Sequence, residues 1–160
     1  MTNLFVFALT VVAILGGGLL AGVFFAFSTF VMTALGRVRP DQGIVAMQSI
    51  NVAVLNPWFF AAFFGTAAVS AVLGAVALAN WSDSGAIYLL AGSLFYLVGG
   101  ILVTMVFNVP LNDALAGASP DGTEGADLWR RYRSAWTAWN HVRTVAIFLA
   151  TASFIMALRH

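Results

Sequence analysis

The sequence predicts an all-α polytopic membrane protein, a four-transmembrane-helix bundle with interfacial amphipathic helices in the cytoplasmic connectors. Only 8% of the 160 residues are charged and 61% are hydrophobic, where an ordinary globular domain carries roughly a quarter charged residues. Mean hydropathy is +0.94. Charge is absent over four long runs, Met1 to Gly36, Gln42 to Ser82, Ser84 to Asn112 and Thr144 to Leu158. A span takes about 20 mostly apolar residues, which places four of them near 4–33, 55–79, 86–109 and 141–158 of one membrane domain, 1–160. The last is short and needs support at one end. A net charge of +1 offers no field for nucleic acid, and the absence of cysteine removes disulfides and thiolate metal sites.

The first span has no basic leader and no small-residue cleavage site, so it is read as a span rather than a signal peptide. Arginines fix the direction, because positively charged flanks stay cytoplasmic. Arg37 and Arg39 follow the first span, and Arg130, Arg131, Arg133 and Arg143 follow the third, against Arg159 alone elsewhere. Both termini are therefore expected outside, which in a bacterial inner membrane means the periplasm. Gly18 and Gly22 in the first span, and Gly92, Gly99 and Gly100 in the third, let helix backbones approach closely. They suit packing within the bundle, and a homo-oligomer as well. The phenylalanines of the first two spans are expected to face lipid or to fill the core.

Neither arginine-bearing connector reads as a plain loop. Pro40 and Asp41 make a helix start, and Ile44, Met47, Ile50, Asn51 and Val54 repeat at helical spacing toward Asn56 and Pro57, where a fresh start or a kink is expected. Thr104, Asn108 and Asn112 share one face at the end of the third span, around Val109-Pro110-Leu111. Because Pro110 lacks a donor, these amides are also suited to satisfying freed backbone groups. A flexible stretch from Ala116 to Gly125 follows. Beyond it Trp129, Tyr132, Trp136 and Trp139 form one aromatic stripe with the nearby arginines off it, as in a helix lying among lipid headgroups; an aromatic lid over a flat ligand has the same pattern. An unbroken helix would carry Asn140 and Arg143 on that stripe and turn His141 about 140° from Trp136.

The topology brings Thr33, Asn51, Asn56, Asn108, Asn112, Asn140, His141 and Arg143 to similar depth at the cytoplasmic face. Polar groups there are functional candidates unless they pair with one another, and a cleft opening toward the cytoplasmic leaflet is expected.

Gly22-Val23-Phe24-Phe25-Ala26-Phe27-Ser28, Ala46-Met47-Gln48-Ser49-Ile50-Asn51 leading to Asn56-Pro57, Asn108-Val109-Pro110-Leu111-Asn112 and Trp136-x-x-Trp139-Asn140-His141-Val142-Arg143-Thr144 together resemble the anthrone oxygenase-like family of four-helix membrane proteins. The resemblance covers nearly the whole chain. Its characterised fungal members oxidise anthrones to anthraquinones, which implies a flat, apolar, acidic anthrone- or phenol-like substrate.

One histidine and no acid in the membrane portion do not make a diiron or dicopper site. His160 is about 28 Å along the helix from His141, so two histidines of one chain cannot clamp a haem, although a haem on a single histidine stays open. No metal and no cofactor are therefore expected. An anthrone carbanion can react with O2 directly, given a base and oxyanion donors. On that reading His141 is the base, Asn108 and Asn112 donate to the developing oxyanion and Arg143 stabilises its charge. Asn51, Asn56 and Asn140 bind the substrate, with Tyr132, Trp136 and Trp139 against its rings. Structural alternatives stand beside these roles: an interfacial His141 anchoring a helix end, and an Arg143 snorkelling to headgroups. A non-catalytic protein that binds a lipid, quinone or polyketide, or serves a membrane partner, fits the same residues.

Overall fold

The computed structural model describes residues 4–120 and 122–160, and among them the chain is helical between short turns. Four helices are long and apolar enough to cross a membrane: α1 (Leu4–Leu35), α3 (Pro57–Ala79), α4 (Ala86–Ala116), and α5, whose spanning part is Glu124–Ala157. The amphipathic α2 (Pro40–Ala53) lies in the first connector. It starts where the sequence indicates, with Pro40 in its first turn, and buries Ile44 and Met47. Asn56 caps α3 by accepting from the backbone N–H groups of Trp58 and Phe59, and Pro57 takes the first turn, where its missing donor costs nothing.

The spans form a square. α5 packs on α1 and α4, α3 packs on α1 and α4, and α3 lies diagonally across from α5. Backbones come close where glycine faces a neighbour: a Cβ on Gly17 would sit 2.6 Å from Thr151, and one on Gly92 would sit 2.7 Å from the Phe154 ring. Gly99 and Gly100 meet Ala146 and Ile147 in the same way. The first span behaves differently from the third. Gly18 and Gly22 have nothing within 4 Å of a Cβ position and face outward, and the close approaches belong to Gly16 and Gly17.

Three expectations change. The third span does not end at residue 109, because α4 continues through Pro110 to Ala116. Its turns at Phe95–Leu102 and Thr104–Asn108 are π-helical, and the Val109 N–H donates five residues back to Thr104. In an α-helix Pro110 would clash with the preceding turn; the wider turn makes room for the ring. The aromatic stripe is not a separate interfacial helix either. Gly122–Ala157 is one unbroken helix, at 1.5 Å per residue about 54 Å long, so its aromatic N-terminal half stands beyond an apolar layer of about 30 Å. Of the stretch expected to be flexible, Gly122 to Gly125 is helical, and Asp121 lies outside the described residues.

Gly92→Ala is expected to lower the melting temperature in detergent, through an overpacking cost of about 1–3 kcal/mol. Gly65→Ala, at a glycine with open space around it, leaves the melting temperature unchanged or slightly raised. Differential scanning fluorimetry of the two variants checks the packing.

Candidate functional site

At the connector end of the square, between α1, α2, α3, α4 and α5, lies a cavity of about 280 Å³. Its wall is mostly phenylalanine and aliphatic side chain, with Asn51, Thr104, Asn108, Asn112 and Arg143 as its polar members. It holds neither carboxylate nor imidazole among the described residues.

Arg143 is 4% exposed. One Nη donates to Thr104 Oγ1 at 3.1 Å and the other to Asn140 Oδ1 at 2.6 Å. The guanidinium lies over the rings of Phe24 and Trp136, at 4.2 and 5.2 Å from their centroids. Among the described residues no carboxylate pairs with it, and its Nε has no partner. The cation is thus held by neutral acceptors and aromatic faces, with a donor left over.

Asn140 makes that arrangement rigid. Its amide donates to Phe24 O and Ser28 Oγ, both at 2.7 Å, so its oxygen is turned to Arg143. Ser28 sits in a π-helical turn of α1, Phe27–Val31, and also meets Thr144 at 3.2 Å. Asn140 is fully buried and absent from the cavity wall; it orients Arg143 and cannot itself meet a ligand there.

Asn112 accepts from Tyr132 OH and from Trp136 Nε1, both at 2.9 Å. That pins Trp136 as a wall of the cavity and leaves Tyr132 behind it, stacked on Trp129. Asn108 donates to Trp136 O at 3.3 Å, while its oxygen has no partner. Asn51 lines the cavity, and its amide nitrogen, without a close acceptor, is turned toward Tyr132. The free polar atoms are therefore two donors, Arg143 Nε and Asn51 Nδ2, and one acceptor, Asn108 Oδ1. Each is a buried group with an unmet bond on a residue of the cavity wall, closed to water as the side chains stand, so a polar ligand reaches them only when those side chains turn.

Five of the residues expected at the site do not line the cavity: Asn140 and Tyr132 stand behind its wall, and three lie elsewhere. His141 is exposed and borders an outer groove with Thr33, Arg133 and Thr137; the unbroken helix turns it away from the aromatic face. Trp139 stacks on Phe107, centroids 3.5 Å apart, outside the cavity. Asn56 spends its side chain on the α3 cap and on the carbonyl of Ala53. Sequence reasoning overlooked the phenylalanine box, Phe24, Phe27, Phe59, Phe60, Phe63 and Phe64. Their clustering at neighbouring helical positions was the available signal, and lipid-facing phenylalanine gives the same one.

Asn112→Ala is expected to destabilise the protein by about 2 kcal/mol, because two buried donors lose their acceptor. Asn56→Ala costs about 1 kcal/mol through the lost cap and leaves ligand affinity within twofold. Melting curves paired with binding titrations separate the two.

The profile of the family described as anthrone oxygenase matches residues 58–153, which include α3, α4 and most of α5 with Asn108, Asn112, Trp136, Asn140 and Arg143. No curated protein and no solved structure matches the chain. With more than half of its length covered, the chain belongs to the anthrone oxygenase family.

Proposed function

We propose that the protein is a membrane-embedded oxygenase that takes a flat, apolar, acidic anthrone- or phenol-like substrate into this cavity and lets its anion react with O2. The observation that carries the reading is Arg143, a guanidinium buried in an apolar chamber without a carboxylate partner and with Nε free. A developing oxyanion is the charge such a site lacks.

The chemistry is supplied by the substrate. An anthrone is in equilibrium with its phenol tautomer, and transfer of the O–H proton to a water molecule carried in the chamber, which later returns it to the peroxide, gives an anion shared between oxygen and the ring carbon. The oxygen lies against Arg143 Nε and Asn51 Nδ2, and a neighbouring hydroxyl donates to Asn108 Oδ1. One electron passes from the anion to O2, and the resulting pair joins to form the carbon–oxygen bond. The peroxide takes up a proton. Loss of the remaining C–H proton with cleavage of the O–O bond leaves a carbonyl and releases water. The balance is CH2 + O2 → C=O + H2O, with the ring carbon oxidised and oxygen reduced. Trp136 and the phenylalanines hold the rings. No metal or cofactor enters this scheme. His141, outside the chamber, has no part in it, and because the proton returns to the peroxide no base on the wall is consumed.

The arginine distribution supports an inner-membrane orientation with the connectors cytoplasmic and both termini periplasmic. A second reading keeps the chamber and drops the turnover: a protein that holds a quinone, lipid or polyketide through the same three polar atoms.

Oxygen uptake by the purified protein with anthrone is the test. Arg143→Met is expected to lower the rate about 100-fold, as loss of an oxyanion donor does, and His141→Ala to leave it within twofold. Uptake that survives Arg143→Met or disappears with His141→Ala overturns the assignment, and ligand binding without uptake favours the second reading.

A further inference from the structure

The walls of the cavity are unequal. Phe24, Met47, Phe63, Asn108, Trp136 and Arg143 are buried, whereas Leu55, Phe60, Phe64 and Met105 are 64, 39, 47 and 51% exposed. The exposed four lie in the turn before α3, on its first two turns and on the π-helical segment of α4. α3 packs along Ala86–Leu94 of α4 and parts from it toward Thr104–Asn108. Both flanks of that gap are charge-free sequence, so it faces hydrocarbon rather than water.

The connector side is shut. Met32, Ile44, Met47, Leu115, Trp129, Tyr132 and Trp136 form a buried cluster over the chamber, and Gln48 ties α2 to the end of α4 by donating to Leu115 O and Ala118 O at 2.9 and 3.3 Å. Passage on that side requires separating this cluster and breaking hydrogen bonds made by Gln48 and Asn112. Passage through the gap requires only that two phenylalanines and a methionine change rotamer, which takes picoseconds to nanoseconds for exposed side chains and breaks no hydrogen bond. Methionine is the most adaptable apolar side chain for such a place.

We infer that the chamber is loaded sideways from the bilayer, through the gap between α3 and α4, with Phe60, Phe64 and Met105 as its movable lips. The inference rests on reading the chamber as the substrate site. It narrows the substrate class to molecules dissolved in the hydrocarbon layer, which arrive uncharged and become anions only at Arg143. A water-soluble organic anion has no path in.

The chain has no cysteine, so introduced pairs are the only thiols. In lipid nanodiscs, Phe60→Cys/Met105→Cys is joined by a bismaleimide across the gap, and Gln48→Cys/Ala118→Cys is joined likewise across the connectors. An apolar aryl diazirine is then dissolved in the bilayer and photolysed, and labelling of the inner wall at Phe63 and Trp136 is read by peptide mass spectrometry. Linking the gap is expected to cut inner-wall labelling at least tenfold relative to the same variant unlinked, while linking the connectors leaves it within twofold. Labelling that persists with the gap linked, or falls when the connectors are linked, overturns the route. The readout contains neither substrate nor oxygen, so failure of anthrone oxidation would overturn the oxygenase reading and leave the route standing.

Discussion

The connector half of the protein is organised by one costly group. A guanidinium at Arg143 is buried without a carboxylate, and a charge taken out of water persists only when neutral dipoles and ring faces replace its hydration. Here they come from three helices: Thr104 from α4, Asn140 and Trp136 from α5, Phe24 from α1. Asn140 is useful only because its own amide is held by Phe24 O and Ser28, and Trp136 only because Asn112 holds its indole. Each contact thereby fixes a helix position as well as a charge. Replacing the arginine by an apolar side chain would relieve that cost, so a buried cation of this kind is weak evidence for stability.

Irregular helix geometry serves the same end. Two of the three π-helical segments, Phe27–Val31 and Thr104–Asn108, fall beside the chamber on two walls, and the third, Phe95–Leu102, lies away from it. A π turn inserts extra backbone per turn and re-aims the side chains that follow. In α4 it accommodates Pro110 and keeps Thr104, Asn108 and Asn112 all directed at the cavity. In α1 it puts Ser28 where Asn140 and Thr144 both reach it. At the other end of the square, glycines let the same helices close on one another.

Much of this was legible in the sequence because it follows from charge and length. Four uncharged runs leave no alternative to four spans, and the direction reversals then force Asn51, Asn108, Asn112 and Arg143 to one level. Pro40 and Asn56-Pro57 mark helix starts by local chemistry alone. What was not legible depends on register. A periodicity of 3.6 cannot show where a π turn shifts it, so the third span seemed to stop at Pro110. Whether His141 turns inward hinged on the continuity of α5, which no residue between Trp136 and Arg143 signals. Gly18 and Gly22 have the spacing of a packing motif, yet the neighbouring Gly16 and Gly17 make the contacts; small residues on adjacent faces of one helix are indistinguishable until a partner is placed. Phenylalanine that lines a chamber and phenylalanine that meets lipid have the same composition.

The surroundings also decide where the selectivity of such a chamber must come from. A pocket in a water-soluble protein gains affinity by removing apolar surface from water, but a guest moving from lipid into a phenylalanine box exchanges one apolar environment for another. Acyl chains compete for the same space on nearly equal terms. Shape alone therefore cannot select a substrate here, and the discriminating energy falls to the few unmet polar atoms: Arg143 Nε, Asn51 Nδ2 and Asn108 Oδ1. A lipid tail leaves all three unsatisfied, at about 1–3 kcal/mol each, a cost that only a guest with polar atoms of its own can relieve. Aromatic walls favour flat guests in general, and any discrimination among such guests falls to the few polar atoms of a mostly apolar wall.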